Sequence, residues 1–122
     1  MKRFLKSFHF ALQGWQTALS EQPNLRFHLT ALLLATILGL AFNITFYEWL
    51  AVFIVAGLVI TAELFNSAIE KVVDLASPSI HPMAKQAKDI AAGAVLAAAA
   101  TAAATGILIY GKYLLQFLSD YL

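Results

Sequence analysis

From Phe27 to Tyr47 the sequence carries no Asp, Glu, Lys or Arg, and the same holds from Trp49 to Ala62 and from Ile90 to Tyr110. Such runs decide the solvent before they decide the fold. A helix of roughly 20 apolar residues crosses the hydrocarbon of a bilayer, where every backbone N–H and C=O must be satisfied within the protein. Of the 122 residues 61% are hydrophobic and 12% are charged, and the mean hydropathy is +0.75. The chain therefore reads as an all-α membrane protein with spans at about residues 25–44, 47–68 and 88–111. So short a chain forms one domain, residues 1–122, and leaves no room for a separate soluble catalytic module. Any chemistry must come from the helices and their ends. Cysteine is absent, which removes disulfides, thiolate metal sites and thiol nucleophiles.

The segments between the runs carry the punctuation. At about residues 2–20, Phe4, Leu5, Phe8, Leu12, Trp15 and Leu19 recur at helical spacing while Lys2, Arg3, Lys6, Gln13 and Gln16 take other faces. This predicts an amphipathic helix lying on the membrane surface, or packed on the protein's own bundle; the two are compatible. Lys6, His9 and Gln13 interrupt any signal-peptide core, so the segment is read as part of the mature protein. Pro23 and Asn24 turn the chain into the first span, and "FNITFYEW" reads as a tight outer turn. Helical periodicity runs on past the second span to about Ala76, and "SPSIHP" ends it, with Pro82 opening the third helix. The alanine-rich third span, "AAGAVLAAAATAAATG", combines the best helix former with a face small enough for close helix packing in lipid.

Lys2, Arg3, Lys6, Arg26, Lys71, Lys85 and Lys88 fall on one side of the three spans, and Lys112 on the other. The positive-inside rule then puts the N-terminus and the "SPSIHP" loop in the cytoplasm.

On that side stands an acidic row. Glu63, Asn66, Glu70 and Asp74 are spaced i, i+3, i+7 and i+11, which on a helix is one narrow stripe. Glu63 follows the apolar run directly, and an ionised carboxylate facing lipid at mid-depth costs on the order of 3 kcal/mol, so it should face a bundle interior or a site. Glu63 and Glu70 are roughly 10 Å apart along the axis, too far to share one proton or one ion. Different roles follow. Across the loop Lys85, Lys88 and Asp89 return charge to the same depth. A carboxylate for an acceptor hydroxyl, another for Mg²⁺ and a Lys for phosphate charge together point to phosphoryl transfer at a membrane surface. No Walker-type or kinase-type glycine loop is present, and no His stands at metal spacing from the acids. His9, His28 and His81 read as interface or loop residues. A polar seam in a small ion or solute transporter would use the same acids, as would a membrane subunit without activity, and spacing alone leaves these readings open.

"AELFNSAIEKVVD" with "HPMAKQAKDIAAGAV" resembles the signature of the prokaryotic diacylglycerol kinase family, which includes the undecaprenol kinases; the likeness extends from "KRFLKSFHFALQG" to the third span. The resemblance implies a homotrimer of three-span subunits, each with a surface helix, in the bacterial inner (cytoplasmic) membrane, and active sites shared between neighbours. It implies an ATP- and Mg²⁺-dependent lipid kinase with Glu63 as catalytic base, Asn66 as its polar partner at the substrate and Glu70 as a Mg²⁺ ligand. Arg3, Phe10, Gln22, Glu70, Ser79, His81, Lys88 and Asp89 fall at its ATP-binding positions, with Ile80 in the bordering loop. Gln22 stands where the family commonly has a second metal-binding Glu, and Glu21 comes one residue early. Either the helix end shifts so that Glu21 reaches the ion, or Gln22 binds through its carbonyl. Phe10 replaces a Tyr found in some members. The form of "HPMAKQAKDIAAGAV" favours undecaprenol as acceptor, with diacylglycerol, giving phosphatidic acid, as the alternative. The expected partners are a lipid alcohol, the membrane and further copies of the chain, and no nucleic acid.

Overall fold

The computed structural model describes residues 1–121 and consists of four helices: α1 (Lys2–Glu21), α2 (Pro23–Ala41), α3 (Phe46–Ala76) and α4 (Pro82–Tyr121). No strand occurs among the described residues. The last three helices are each long and apolar enough to cross a membrane.

α1 and α2 are separated by one residue. Gln22 adopts an extended conformation at φ −105° and ψ 102°, and Pro23 starts the next helix where its missing N–H is no loss. α2 ends in a Schellman motif. Asn43 takes the left-handed conformation at φ 51°, Ile44 N–H bonds to Gly39 C=O at 3.1 Å and Asn43 N–H to Leu40 C=O at 3.3 Å. Ile44 is thereby turned inward and buried. Thr45 caps α3: its hydroxyl accepts from Glu48 N–H, and the Glu48 carboxylate accepts from Thr45 N–H at 2.8 Å. That reciprocal pair starts α3 at Phe46 and joins α2 to α3 by a four-residue turn, residues 42–45.

α3, 31 residues long, is the centre of the packing, with α2 and α4 laid against it and barely against each other. Its buried positions are Val52, Val59, Glu63, Asn66 and Ser67, and α4 faces them with Ala91, Ala98 and Ile109. Two of those α4 residues are alanines, whose small side chains let two backbones approach where lipid supplies no hydrophobic drive between helices. At Gly39 the Trp49 ring comes so near that a Cβ would lie 2.7 Å from it, so only glycine fits. α4, at 40 residues, runs roughly 60 Å, well beyond the thickness of hydrocarbon it has to cross.

Two ion pairs close the α3–α4 hairpin. Lys88 meets Asp74 at 2.8 Å near the loop, and Lys112 meets Glu48 beside the α2–α3 turn. They stand roughly 35–40 Å apart along the helices, close to the thickness of a bilayer with its interfaces.

Candidate active site

The acidic row lies on the packed face of α3 and grades from buried to exposed. Glu63 is 1% exposed and Asn66 7%, Glu70 is partly buried, and Asp74 is exposed. Helix spacing puts them in line; the packing of α2 and α4 covers only the inner part of that line. Asn66 Nδ2 donates to Glu70 Oε1 at 3.2 Å, so the two act as one polar unit across a helical turn. Ser67 donates its hydroxyl to the Glu63 carbonyl at 2.8 Å and leaves the carboxylate alone. Glu63 Oε2 and Asn66 Oδ1 are buried without a hydrogen-bond partner. Buried polar atoms are nearly always satisfied, and leaving one unmade costs about 1–3 kcal/mol. Two orphan oxygens one turn apart therefore mark a place where another molecule's donors or cations belong.

Beyond Asp74 the loop of residues 77–81 and the first turns of α4 enclose a cleft of about 410 Å³. Ser79, Ile80, His81, Lys88 and Asp89 line it together with Asp74. The loop is held by its own bonds: Ser77 donates its hydroxyl to Ser79 C=O at 3.0 Å, and His81 Nδ1 accepts from Met83 N–H at 3.2 Å in the first turn of α4. Lys88 bridges to Asp74, while Asp89 pairs with Lys85 rather than with its neighbour. Asp74, the last member of the acidic row, has no separate role assigned from sequence, and the structure places it in the cleft. Lys71 and Ser77 carried no signal as site residues.

The end of α1 arrives beside this row. Glu21 pairs with Lys71, one residue past Glu70, and Gln22 borders a cavity of about 440 Å³ between α1 and α3 with Ser67 and Lys71. Both candidates for the second metal position are thus at the right level of α3, with the Glu21 carboxylate taken up by an ammonium. Arg3 and Phe10 are exposed, Phe10 near the middle of α1 and Arg3 at its start, roughly 27 Å along the axis from Glu21. One chain does not gather them with Glu70. Among the described residues no group of three or more His, Cys, Asp or Glu forms a ready metal cluster.

The chemistry available is that of a buried carboxylate with a free oxygen, a more exposed Asn–Glu unit, and, farther along the same face of α3, a cleft whose two lysines are paired with two aspartates. Comparison with known proteins adds the following. The profile of the family described as prokaryotic diacylglycerol kinase matches residues 9–110. An undecaprenol kinase from Bacillus subtilis is 41% identical over 111 residues, 90% of this chain and 89% of that protein. A diacylglycerol kinase from Helicobacter pylori is 33% identical over 118 residues, 93% of this chain and 86% of its own. A diacylglycerol kinase from Synechocystis is 42% identical over 107 residues, covering 84% of this chain and 59% of its own.

Proposed function

Because the chain belongs to the prokaryotic diacylglycerol kinase family and is a lipid kinase, we propose that it transfers the γ-phosphate of ATP to the hydroxyl of undecaprenol, with Glu63 as the base. The observation that carries this reading is the buried Glu63 oxygen without a partner, on the same helix face as the Asn66–Glu70 unit, a face that continues through Asp74 into the cleft at the loop. In the reaction the lipid oxygen forms a bond to the γ-phosphorus, its proton passes to the Glu63 carboxylate, and the bond from the γ-phosphorus to the β–γ bridging oxygen breaks to release ADP. Positioning and charge stabilisation carry most of the work in such transfers.

Lys88, Ser79, His81 and Asp89 border the nucleotide in this reading, Lys88 exchanging its bond to Asp74 for phosphate oxygens. Mg²⁺ suits the oxygens that Glu70 and the unpartnered Asn66 Oδ1 offer, since this ion uses one or two carboxylates and completes its shell with water and substrate phosphate. When bound it would neutralise charge on the phosphates. Asn66 then has two duties, to orient Glu70 through its amide N–H and to turn its oxygen toward the ion.

The charge distribution favours a cytoplasmic N-terminus and loop in a bacterial inner membrane, which is where ATP is found. α1, with Phe4, Leu5, Phe8 and Leu12 exposed beside Arg3 and Lys6, suits a helix lying in the interface. Arg3 stands too far along α1 to reach the site of its own chain, which suits the homotrimer with shared sites that the family resemblance implies.

The acceptor rests on the Bacillus relative's name and on the "HPMAKQAKDIAAGAV" form. Purified protein with Mg²⁺ and ATP is offered undecaprenol and diacylglycerol in equal amounts, and the phosphorylated lipid is identified by mass. Undecaprenyl phosphate in excess is expected. Phosphatidic acid in excess would reassign the acceptor, and nucleotide-independent flux in liposomes without any lipid phosphate would replace the kinase by a transporter.

A further inference from the structure

The cleft at the α3–α4 loop carries its own counter-ions. Two lysines and two aspartates are among the groups that line it, and each lysine already holds a carboxylate, Lys85 that of Asp89 and Lys88 that of Asp74. The four side-chain charges cancel. The two pairs are not equivalent. Lys85 and Asp89 are one turn apart on α4, so their contact does not depend on how the helices stand to each other. Lys88 and Asp74 are 14 residues apart and join α4 to α3 across the loop, Nζ to Oδ1 at 2.8 Å. The charge of Glu70 acts on Lys88 as well, so this ammonium is the cation that the acidic row and the cleft share.

The loop does not depend on the Lys88–Asp74 pair. Ser77 bonds to Ser79, and His81 holds the first turn of α4 through Met83 N–H, neither of them by way of Asp74 or Lys88. Lys88 can therefore change partner without the loop unfolding. The side chains of Lys88 and Asp74 are 36% and 67% exposed, and an ion pair in that setting is weak enough for a more highly charged phosphate to displace. We propose that Asp74 is a positioning residue for the nucleotide that acts through Lys88: its carboxylate holds the ammonium at the cleft, yields it to a phosphate oxygen as nucleotide enters, and takes it back as ADP leaves. The proposal rests on the kinase reading and adds how that site sets its hold on nucleotide. Asp74 and a phosphate are like charges that compete for one cation. The carboxylate thus lowers affinity for ATP and ADP alike, and speeds the departure of product.

Asp74→Asn provides the test, since it keeps the shape of the side chain and an oxygen for Lys88 but removes the charge. The full-length protein in nanodiscs with Mg²⁺ is titrated by calorimetry with ADP and with inorganic triphosphate, and KM and kcat are measured with ATP. Both ligands should bind about threefold more tightly in Asp74→Asn, the scale of a part-exposed ion pair, and KM for ATP should fall by a like factor with kcat equal or lower. Asp74→Glu restores the charge and should restore the wild-type affinities. Glu48→Gln removes an α3–α4 ion pair of the same kind at the far end of the hairpin and should leave ADP affinity unchanged. Unchanged or weaker binding in Asp74→Asn would overturn the proposal. So would an equal change in Glu48→Gln, which would make hairpin closure the cause, or a fall in kcat with KM unchanged. A shift in Mn²⁺ binding by Asp74→Asn would make Asp74 a metal ligand and overturn it too. A wild type that phosphorylates no lipid alcohol would remove the kinase reading instead, and tighter triphosphate binding by Asp74→Asn would still establish the exchange at Lys88.

Discussion

Beside the α2–α3 turn, Glu48 accepts from the Thr45 amide and hydroxyl and from Tyr113 at 2.8 Å, and pairs with Lys112. Tyr113 stacks on Phe42 at 5.7 Å and Lys112 lies over the Tyr113 ring at 4.9 Å, so the carboxylate is enclosed by its own partners. Near the middle of α3, Glu63 is buried more deeply and keeps an oxygen with nothing to bond, and Asn66 does the same one turn on. Both places use a glutamate on α3. One has all its donors supplied by the chain and fixes the bundle; the other is left short and awaits a ligand. An unsatisfied network is costly in a low-dielectric interior, which is why its retention at one of the two only is informative.

The sharpest break is Glu63→Gln. Phosphoryl transfer should drop ~10²–10⁴-fold or more in a protein that still purifies with wild-type helicity, as for removal of a general base. Near-normal turnover would take the base role from Glu63. At the other end, Gly39→Ala forces the Trp49 ring to move from beside the α2–α3 turn. It should lose about 1–3 kcal/mol in chemical denaturation with chemistry per folded molecule unchanged, and an unaltered unfolding curve would show that the turn is loosely packed. Glu70→Gln keeps the Asn66 contact but removes the charge. The Mg²⁺ concentration for half-maximal rate, and Mn²⁺ binding followed by electron paramagnetic resonance, should shift about tenfold, at the lower end of what loss of a metal-site contact does. No shift in either would separate Glu70 from the ion. The smallest effect belongs to Glu21 and Lys71, a half-exposed pair worth less than ~1 kcal/mol. If it only holds the end of α1, exchanging the charges in a Glu21→Lys, Lys71→Glu double variant restores what each single variant loses. If Glu21 serves the metal, the exchange restores nothing and the Mn²⁺ titration shifts.

The three long helices were legible because charge-free runs of that length have few other fates in water or lipid. The acidic stripe was legible for the same reason that helix faces generally are: its spacing is local. α3 starts at Phe46, within a residue of the expected 47, and "TFYE", the S/T-x-x-E pattern of a capping box, is the physical cause. What could not be read is which face of α2 packs, since that helix is apolar all round and Leu25 differs from Leu33 only by its neighbours. The cross-loop pairing of Lys88 with Asp74 was hidden too, because it depends on the register of two helices and not on spacing within one. Arg3, Phe10 and Glu70 form no cluster in one chain because α1, at 20 residues, carries its first turns far from its end at Glu21.

Gln22, the lone residue between α1 and α2, leaves no slack between the two helices. The place of α1 along α3 is therefore set at its C-terminal end, where Glu21 meets Lys71, and Arg3 is held a full helix length, roughly 27 Å, from that anchor.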